Sequence, residues 1–300
     1  MSGKTGSGDI DQKQLIKDIV KSVLKEWGIL PQKSEPESPQ KTAFLPTEKV
    51  QEIQKSRTYK KVFEFFQTHG YYITEITEKG KLGKEYSALA IQLFEYNSII
   101  FPLIQQIQKA EKGVLSLAHI GSAEEINKVR NILNNFERRN WFKFSNYNKN
   151  TQQINFERCP EYKSYAKNFM SGIFGEYVTV KFIEKALQRF AKERHGFKYK
   201  LFHNIKLNDP NTDKQVDMQL DLVVQCPENF YIFETKMGAT LAIDKWVDRH
   251  RLFTTDKNKF ITCCSDENLN PRIFQPFKLF NLKNLEEQFI QVLKNDYPEQ

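Results

Sequence analysis

Cysteine is scarce in this 300-residue chain, and what there is shows no metal-binding order. Cys159, Cys226, Cys263 and Cys264 form no C-x-x-C pair and have no companion histidine cluster. Neither a zinc site nor a disulfide framework is expected, and a reducing compartment is the default. Cys263 and Cys264 sit inside "FITCCS", an apolar run in which cysteine acts as a small hydrophobe. Long apolar runs are missing too. No stretch approaches the roughly 18 uninterrupted apolar residues of a membrane span. The opening "MSGKTGSGDIDQ" lacks the apolar centre of a secretory signal, so a cytoplasmic location with no membrane contact is expected. No internal repeat is evident, which argues against solenoids and propellers.

What is present is enough for a core. Hydrophobic residues make up 39% of the chain, with 24 Phe and 12 Tyr, which excludes global disorder. The length suits one large domain or two ordinary ones. A formal net charge of +8 favours a polyanionic partner, and nucleic acid is the commonest one.

Three regions follow from the patterning. In residues 1–46, Asp9–Trp27 places Ile10, Leu15, Ile16, Ile19, Val20, Val23 and Leu24 on one helical stripe. A Pro/Ser/Glu/Lys linker follows it. Such a tethered helix docks on its own domain, on a protein partner or on a second copy of the chain, and helix physics alone does not separate these. Residues 47–158 read as mostly helical, with segments at Arg57–His69 and about Lys84–Lys112. A further helix opens on a capping box, Ser122 with Glu125. It carries Lys128, Arg130, Arg138 and Arg139 away from its apolar face. "WFKFSNYNKNTQQINFE" then reads as a hairpin. This order is that of a winged helix, in which the three arginines either contact nucleic acid or form a solvated face. From residue 159 to 300 the order becomes α-β-β-β-α-β, which predicts an α/β domain with a mixed sheet flanked by helices.

Two strands of that domain, Leu220–Val224 and Phe230–Phe233, meet at the turn Cys226-Pro227-Glu228-Asn229. Asp221 lies inside the first strand, and Glu234 and Lys236 end the second. A carboxylate in a half-buried strand is costly unless something offsets its desolvation. A hard divalent cation does so through several oxygen ligands. Asp221 and Glu234 come from neighbouring strands about 4.8 Å apart, so a hairpin of this length can bring them side by side. The Thr235 backbone carbonyl adds a third oxygen, and Glu176, in "GEYV" at a helix start, offers a fourth through a water. Lys236 shares a strand face with Glu234 and can orient or help deprotonate an attacking water. Such a set suits phosphodiester hydrolysis with Mg²⁺, for which Mn²⁺ would substitute. The competing reading is a strand-end salt bridge between Glu234 and Lys236 with Asp221 solvated.

"GIFGEYV", "QLDLVV" and "FYIFETKMGA" together resemble the PD-(D/E)XK, or restriction-endonuclease-like, nuclease superfamily over about residues 171–291. More narrowly they are similar to the nuclease half of CRISPR-associated, cyclic-oligonucleotide-activated nucleases, which also carry a winged-helix-like part. Leu220 stands where the superfamily's name has a proline. Residues 1–110 lack the strand-helix alternation of those relatives' nucleotide sensor, so no activating ligand is carried over. The resemblance implies an endonuclease with Glu176, Asp221, Glu234 and Lys236 as its catalytic set and a defence role, CRISPR-associated or restriction. In the helix after the site, Lys245 and Arg249 share a face and are expected to grip phosphates. DNA is favoured over RNA as substrate, and a homodimer would suit duplex cutting. The alternative is an inactive nucleic-acid-binding or assembly protein on the same fold.

Overall fold

The structure, a computed structural model, describes residues 57, 59–78, 84–163, 165–209, 211, 218–237, 243–265 and 278–299. The expected Asp9–Trp27 helix, its linker and the Lys245 side chain lie outside the described residues.

α1 (Lys60–Thr68) buries Val62, Phe63, Phe65 and Phe66, and β1 (Tyr72–Glu78) follows it. The apolar stretch expected as one helix to about Lys112 is two, α2 (Lys84–Glu95) and α3 (Asn97–Lys109), with axes bent by 110°. No single helix among the described residues is long and apolar enough to cross a membrane. β2 (Lys112–Ser116) comes next. α4 (Ala123–Arg138) opens on the expected capping box: Ser122 Oγ accepts the Glu125 amide, and the Glu125 carboxylate accepts the Ser122 amide. β3 (Phe142–Phe144) and β4 (Gln153–Arg158) form the anticipated hairpin, and β2 joins the free side of β4 to give a sheet of order β2-β4-β3.

The segment "EYKSYAKNFMSG" is not one helix. A 3₁₀ turn at Pro160–Lys163, a short helical turn at Tyr165–Asn168 and a π-type turn at Phe169–Ile173 replace it. Gly172 leaves helical geometry at the end of this run, which sets a new direction for α5 (Phe174–Glu193). β5 (Lys200–Asn208), β6 (Met218–Gln225) and β7 (Phe230–Lys236) are antiparallel neighbours. α6 (Ile243–Phe253) carries the chain over to β8 (Lys259–Cys264), and β9 (Lys278–Asn281) and α7 (Leu285–Asp296) complete it. β8 and β9 add in parallel, which gives the mixed six-stranded order β1-β5-β6-β7-β8-β9. β8 is buried along nearly its whole length, which explains its unbroken apolar run. All four cysteines are buried and outside any disulfide, as small hydrophobes should be.

Two cores face the sheet from opposite sides. α5 and α7 cover one side, where Phe289 meets Tyr231 and Phe233 edge-on at 5.1 Å. α1 and α6 cover the other, with Phe65 stacked on Phe230 at 4.4 Å and Trp246 and Phe253 fully buried. The first core continues without interruption into α2, α3, α4 and the three-stranded sheet. Residues 44–300 form one compact unit.

Packing crosses two of the expected boundaries. Residues 60–78 belong with the nuclease-like sheet, because β1 pairs with β5 and α1 fills the core beneath β6 and β7. Residue 158 does not end a domain, because the Cys159 amide donates to the Trp141 carbonyl and the same core runs on into α5. The pattern "YITEITE" does alternate as a strand should; it was hidden inside a region otherwise dominated by helical periodicity.

Candidate active site

An aspartate can sit inside β6 because the strand's two-residue alternation breaks there. Leu222 and Val224 pack in the α5 core, whereas Leu220 and Val223, three positions apart, pack in the α1/α6 core. On the facing strand, Phe202 and Ile205 show the same three-residue step, and Asn204 between them has a φ of 48°. Asparagine enters this left-handed region more readily than most residues. Asp221 therefore occupies the one point of β6 where neither core demands an apolar side chain.

The same point is where the sheet opens. The β6–β7 ladder runs from Gln225↔Phe230 to Leu222↔Phe233 and stops, while β7 stays paired with β8 as far as Lys236↔Cys264. Beyond the last rung, Asp221 Oδ2 accepts the Thr235 amide at 2.8 Å. A strand residue's N–H and C=O point to the same neighbour. The Thr235 carbonyl thus faces this same gap.

Glu234, two residues beyond Ile232, lies on the α1/α6 side and is 4% exposed. It forms a buried ion pair with Arg249 of α6, which is 3% exposed. Lys236 is exposed at the strand's end. From the opposite side, α5 brings in Glu176 in its first turn, half-buried. Its approach depends on Gly175, where a Cβ would come within 2.3 Å of Met237 Cγ and 3.2 Å of Thr235 Cγ2. One turn on, the Thr179 and Thr235 hydroxyls share a hydrogen bond of 2.8 Å that locks α5 to β7.

These groups lie near enough to influence one another electrostatically. Burial pushes the Glu176 carboxyl up to about 8, the charges of Asp221 and Glu234 push in the same direction, and Lys236 opposes them. Burial also raises the neighbouring Cys263 thiol well above its ordinary range, which leaves it an inert filler. The donors are all hard oxygens, so their chemistry fits a divalent cation. As they stand, no three His, Cys, Asp or Glu side chains among the described residues gather closely enough to hold one. Glu234 is engaged by Arg249, and Asp221 by the Thr235 amide.

The residues expected to contact nucleic acid divide. Arg249 is corrected: its guanidinium is buried against Glu234 and is not presented to a phosphate backbone. Arg139, half-buried, hydrogen-bonds the Asn135 carbonyl at 2.9 Å and lies over the Tyr86 ring. Arg130 and Arg138 are exposed, with Arg130 over Tyr147. Sequence reasoning overlooked Gly175 and Thr179. Thr179 carried a readable signal, a polar residue between Val178 and Val180 on the stripe of α5 that meets the sheet.

Residues 171–277 match the family model described as a nuclease-related domain. The match takes in β5 to β8 of the mixed sheet and, with them, Asp221, Glu234 and Lys236. That supports nuclease chemistry in general. Among solved structures, protein VC1899 from Vibrio cholerae is similar at 11% identity and a TM-score of 0.46, over 78% of this chain and 60% of that one. Can2 from Sulfobacillus thermosulfidooxidans, solved with cyclic tetra-adenylate, is similar at 13% identity and a TM-score of 0.45, over 77% and 58%. The chain therefore spans less than two thirds of either. No curated protein matches it by sequence.

Proposed function

We propose that the protein is a metal-dependent endonuclease that hydrolyses phosphodiester bonds, with DNA favoured over RNA. The observation that carries this reading is the opening where the β6–β7 ladder stops, with Asp221 accepting the Thr235 amide across it and Lys236 exposed at the strand's end. Asp221, Glu234 and the Thr235 carbonyl would hold Mg²⁺ or Mn²⁺, and Glu176 would reach it through a water. When bound, the cation supplies charge neutralisation at the scissile phosphate and a more acidic water. Lys236 orients that water and offsets charge that develops on the phosphoryl oxygens. Glu176, with its affinity for protons raised close to neutrality, is suited to hold a proton during the reaction. Arg249 fixes the Glu234 carboxylate from behind. The net charge of +8, with Arg130 and Arg138 exposed, suits a polyanionic substrate. A defence role, a homodimer and a partner for the Asp9–Trp27 helix belong to the same proposal. They rest on the resemblance to CRISPR-associated nucleases and on the sequence pattern.

The test is a cleavage panel of single- and double-stranded DNA and RNA with Mg²⁺, Mn²⁺ or EDTA. D221A and K236A should each lower the divalent-dependent rate by about a hundredfold or more. Undiminished cleavage by a folded variant refutes the assignment. A second reading, a nuclease-like protein that binds without cutting, is favoured by the engagement of Glu234 with Arg249. It requires EDTA-insensitive nucleic-acid binding with no cleavage under any divalent ion.

A further inference from the structure

A second polar site lies among the C-terminal end of α3, the end of β4 and the turns that precede α5. It is a cavity of about 370 Å³ lined by Gln108, Arg158, Tyr162, Lys167 and Ser171. Arg158 Nη2 donates to the carbonyls of Ile107, Gln108 and Ala110 at 2.9, 2.9 and 2.8 Å, which caps α3 and fixes the guanidinium. That guanidinium also lies 4.5 Å from the centre of the Tyr162 ring. Two donors are left over. Arg158 Nε and the Tyr162 hydroxyl are both buried with no hydrogen-bond partner among the described residues, and Tyr162 is only 3% exposed.

Buried donors without acceptors cost stability, so their persistence at one cavity calls for an acceptor there. Burial raises the Tyr162 phenol above its ordinary value, so the hydroxyl keeps the proton it would donate. Lys167 adds an exposed ammonium at the rim, and none of the five lining side chains is acidic. A single water, at about 30 Å³, would satisfy one donor but leave most of the space empty. Cavities that hold small ligands begin at roughly 300 Å³.

We propose that this cavity is a binding site for a phosphoryl group, with Arg158 Nε and the Tyr162 hydroxyl donating to its oxygens and Lys167 balancing its charge. The group belongs either to a free nucleotide or to the 5′ end of a strand. Guanidinium and hydroxyl donors suit the tetrahedral dianion. The site does not rest on the nuclease reading. Ser171 lies in the turn Phe169–Ile173, immediately ahead of the helix that carries Glu176, so an occupant would brace the start of α5.

Isothermal titration in EDTA tests this with four probes: inorganic phosphate, adenosine 5′-monophosphate, and one oligonucleotide with either a 5′-phosphate or a 5′-hydroxyl. Saturable binding of phosphate or of the monophosphate is expected, weakened about tenfold in Y162F, which removes only the hydroxyl. K167A should weaken binding most at low salt. Preference for the phosphorylated oligonucleotide assigns the site to strand ends. Binding of the monophosphate with equal response to both oligonucleotides assigns it to free nucleotides. Absence of saturable binding by either small probe overturns the proposal. So does unchanged affinity in Y162F at a matched thermal midpoint. Should Y162F fail to fold, unchanged affinity in K167A at low salt overturns it instead.

Discussion

Glu176 is held near pH 8 while an ordinary glutamate titrates near 4.5. The folded protein therefore keeps this proton across a pH range in which the unfolded chain has released it. Stability falls as pH rises through that window, from about 4.5 to about 8. In EDTA, the thermal midpoint of the wild type should drop more between pH 5 and pH 8 than that of E176Q, which carries no such proton. Mn²⁺ at pH 8 should raise the wild-type midpoint and leave D221A nearly unmoved, because a cation relieves the repulsion only where its ligands remain. Arg249 gives a separate test. Its replacement by methionine strands a buried carboxylate, and R249M should lose about 3–5 kcal/mol in chemical denaturation. The double variant E234Q/R249M should recover a large part of that loss. At this scale the sequence was legible where chemistry conflicts with burial: an acid in β6 and a Glu-Thr-Lys strand end stand out against the apolar strands around them. It was misleading for Arg249, because a helical basic residue looks the same whether its guanidinium meets solvent or folds back on the protein.

Elements were recovered where a local signal and the tertiary demand agree. The capping box of α4, the start of α5 near Phe174 and the hairpin of β6 and β7 all follow from residues adjacent in the chain. The split between α2 and α3 did not emerge, since apolar spacing continues across Tyr96 and nothing but packing forces the bend. β2 begins only at Lys112, where that expected helix ends, and it forms because β4 offers an open edge. Registration of α5 on β7 also has a local cause, the missing side chain at Gly175. G175A should push Met237 aside or lift the first turn of α5. Divalent-dependent cleavage is expected to fall further than the thermal midpoint does, since Glu176 moves with that turn. Replacing Ser122 by alanine should cost about 1 kcal/mol and leave cleavage unchanged, because the capping box supports α4 alone.

On the scale of the molecule, the region before residue 159 is not an accessory placed beside a finished nuclease-like fold. α1 supplies Phe65 and Phe66 to the core under the sheet, and β1 covers the edge of β5. A chain that begins at residue 159 should therefore expose a hydrophobic face and an unpaired strand edge. It is expected to aggregate or to melt without cooperativity, whereas one that begins at residue 57 should melt in a single transition by circular dichroism. Composition announced a core of this size but not that one core would serve both regions.

The outermost strands of the six-stranded sheet are β1 and β9, drawn from the first and last parts of the described chain. During synthesis, the earliest of these must wait for more than a hundred residues before β5 exists to receive it, and the far edge closes only after β8 and β9 have both been made. A ribosome-bound fragment thus carries Asp221 and Glu234 before it has the scaffold to hold them apart from bulk water. On this architecture the six-stranded order around those two carboxylates is complete only once β9 has joined β8.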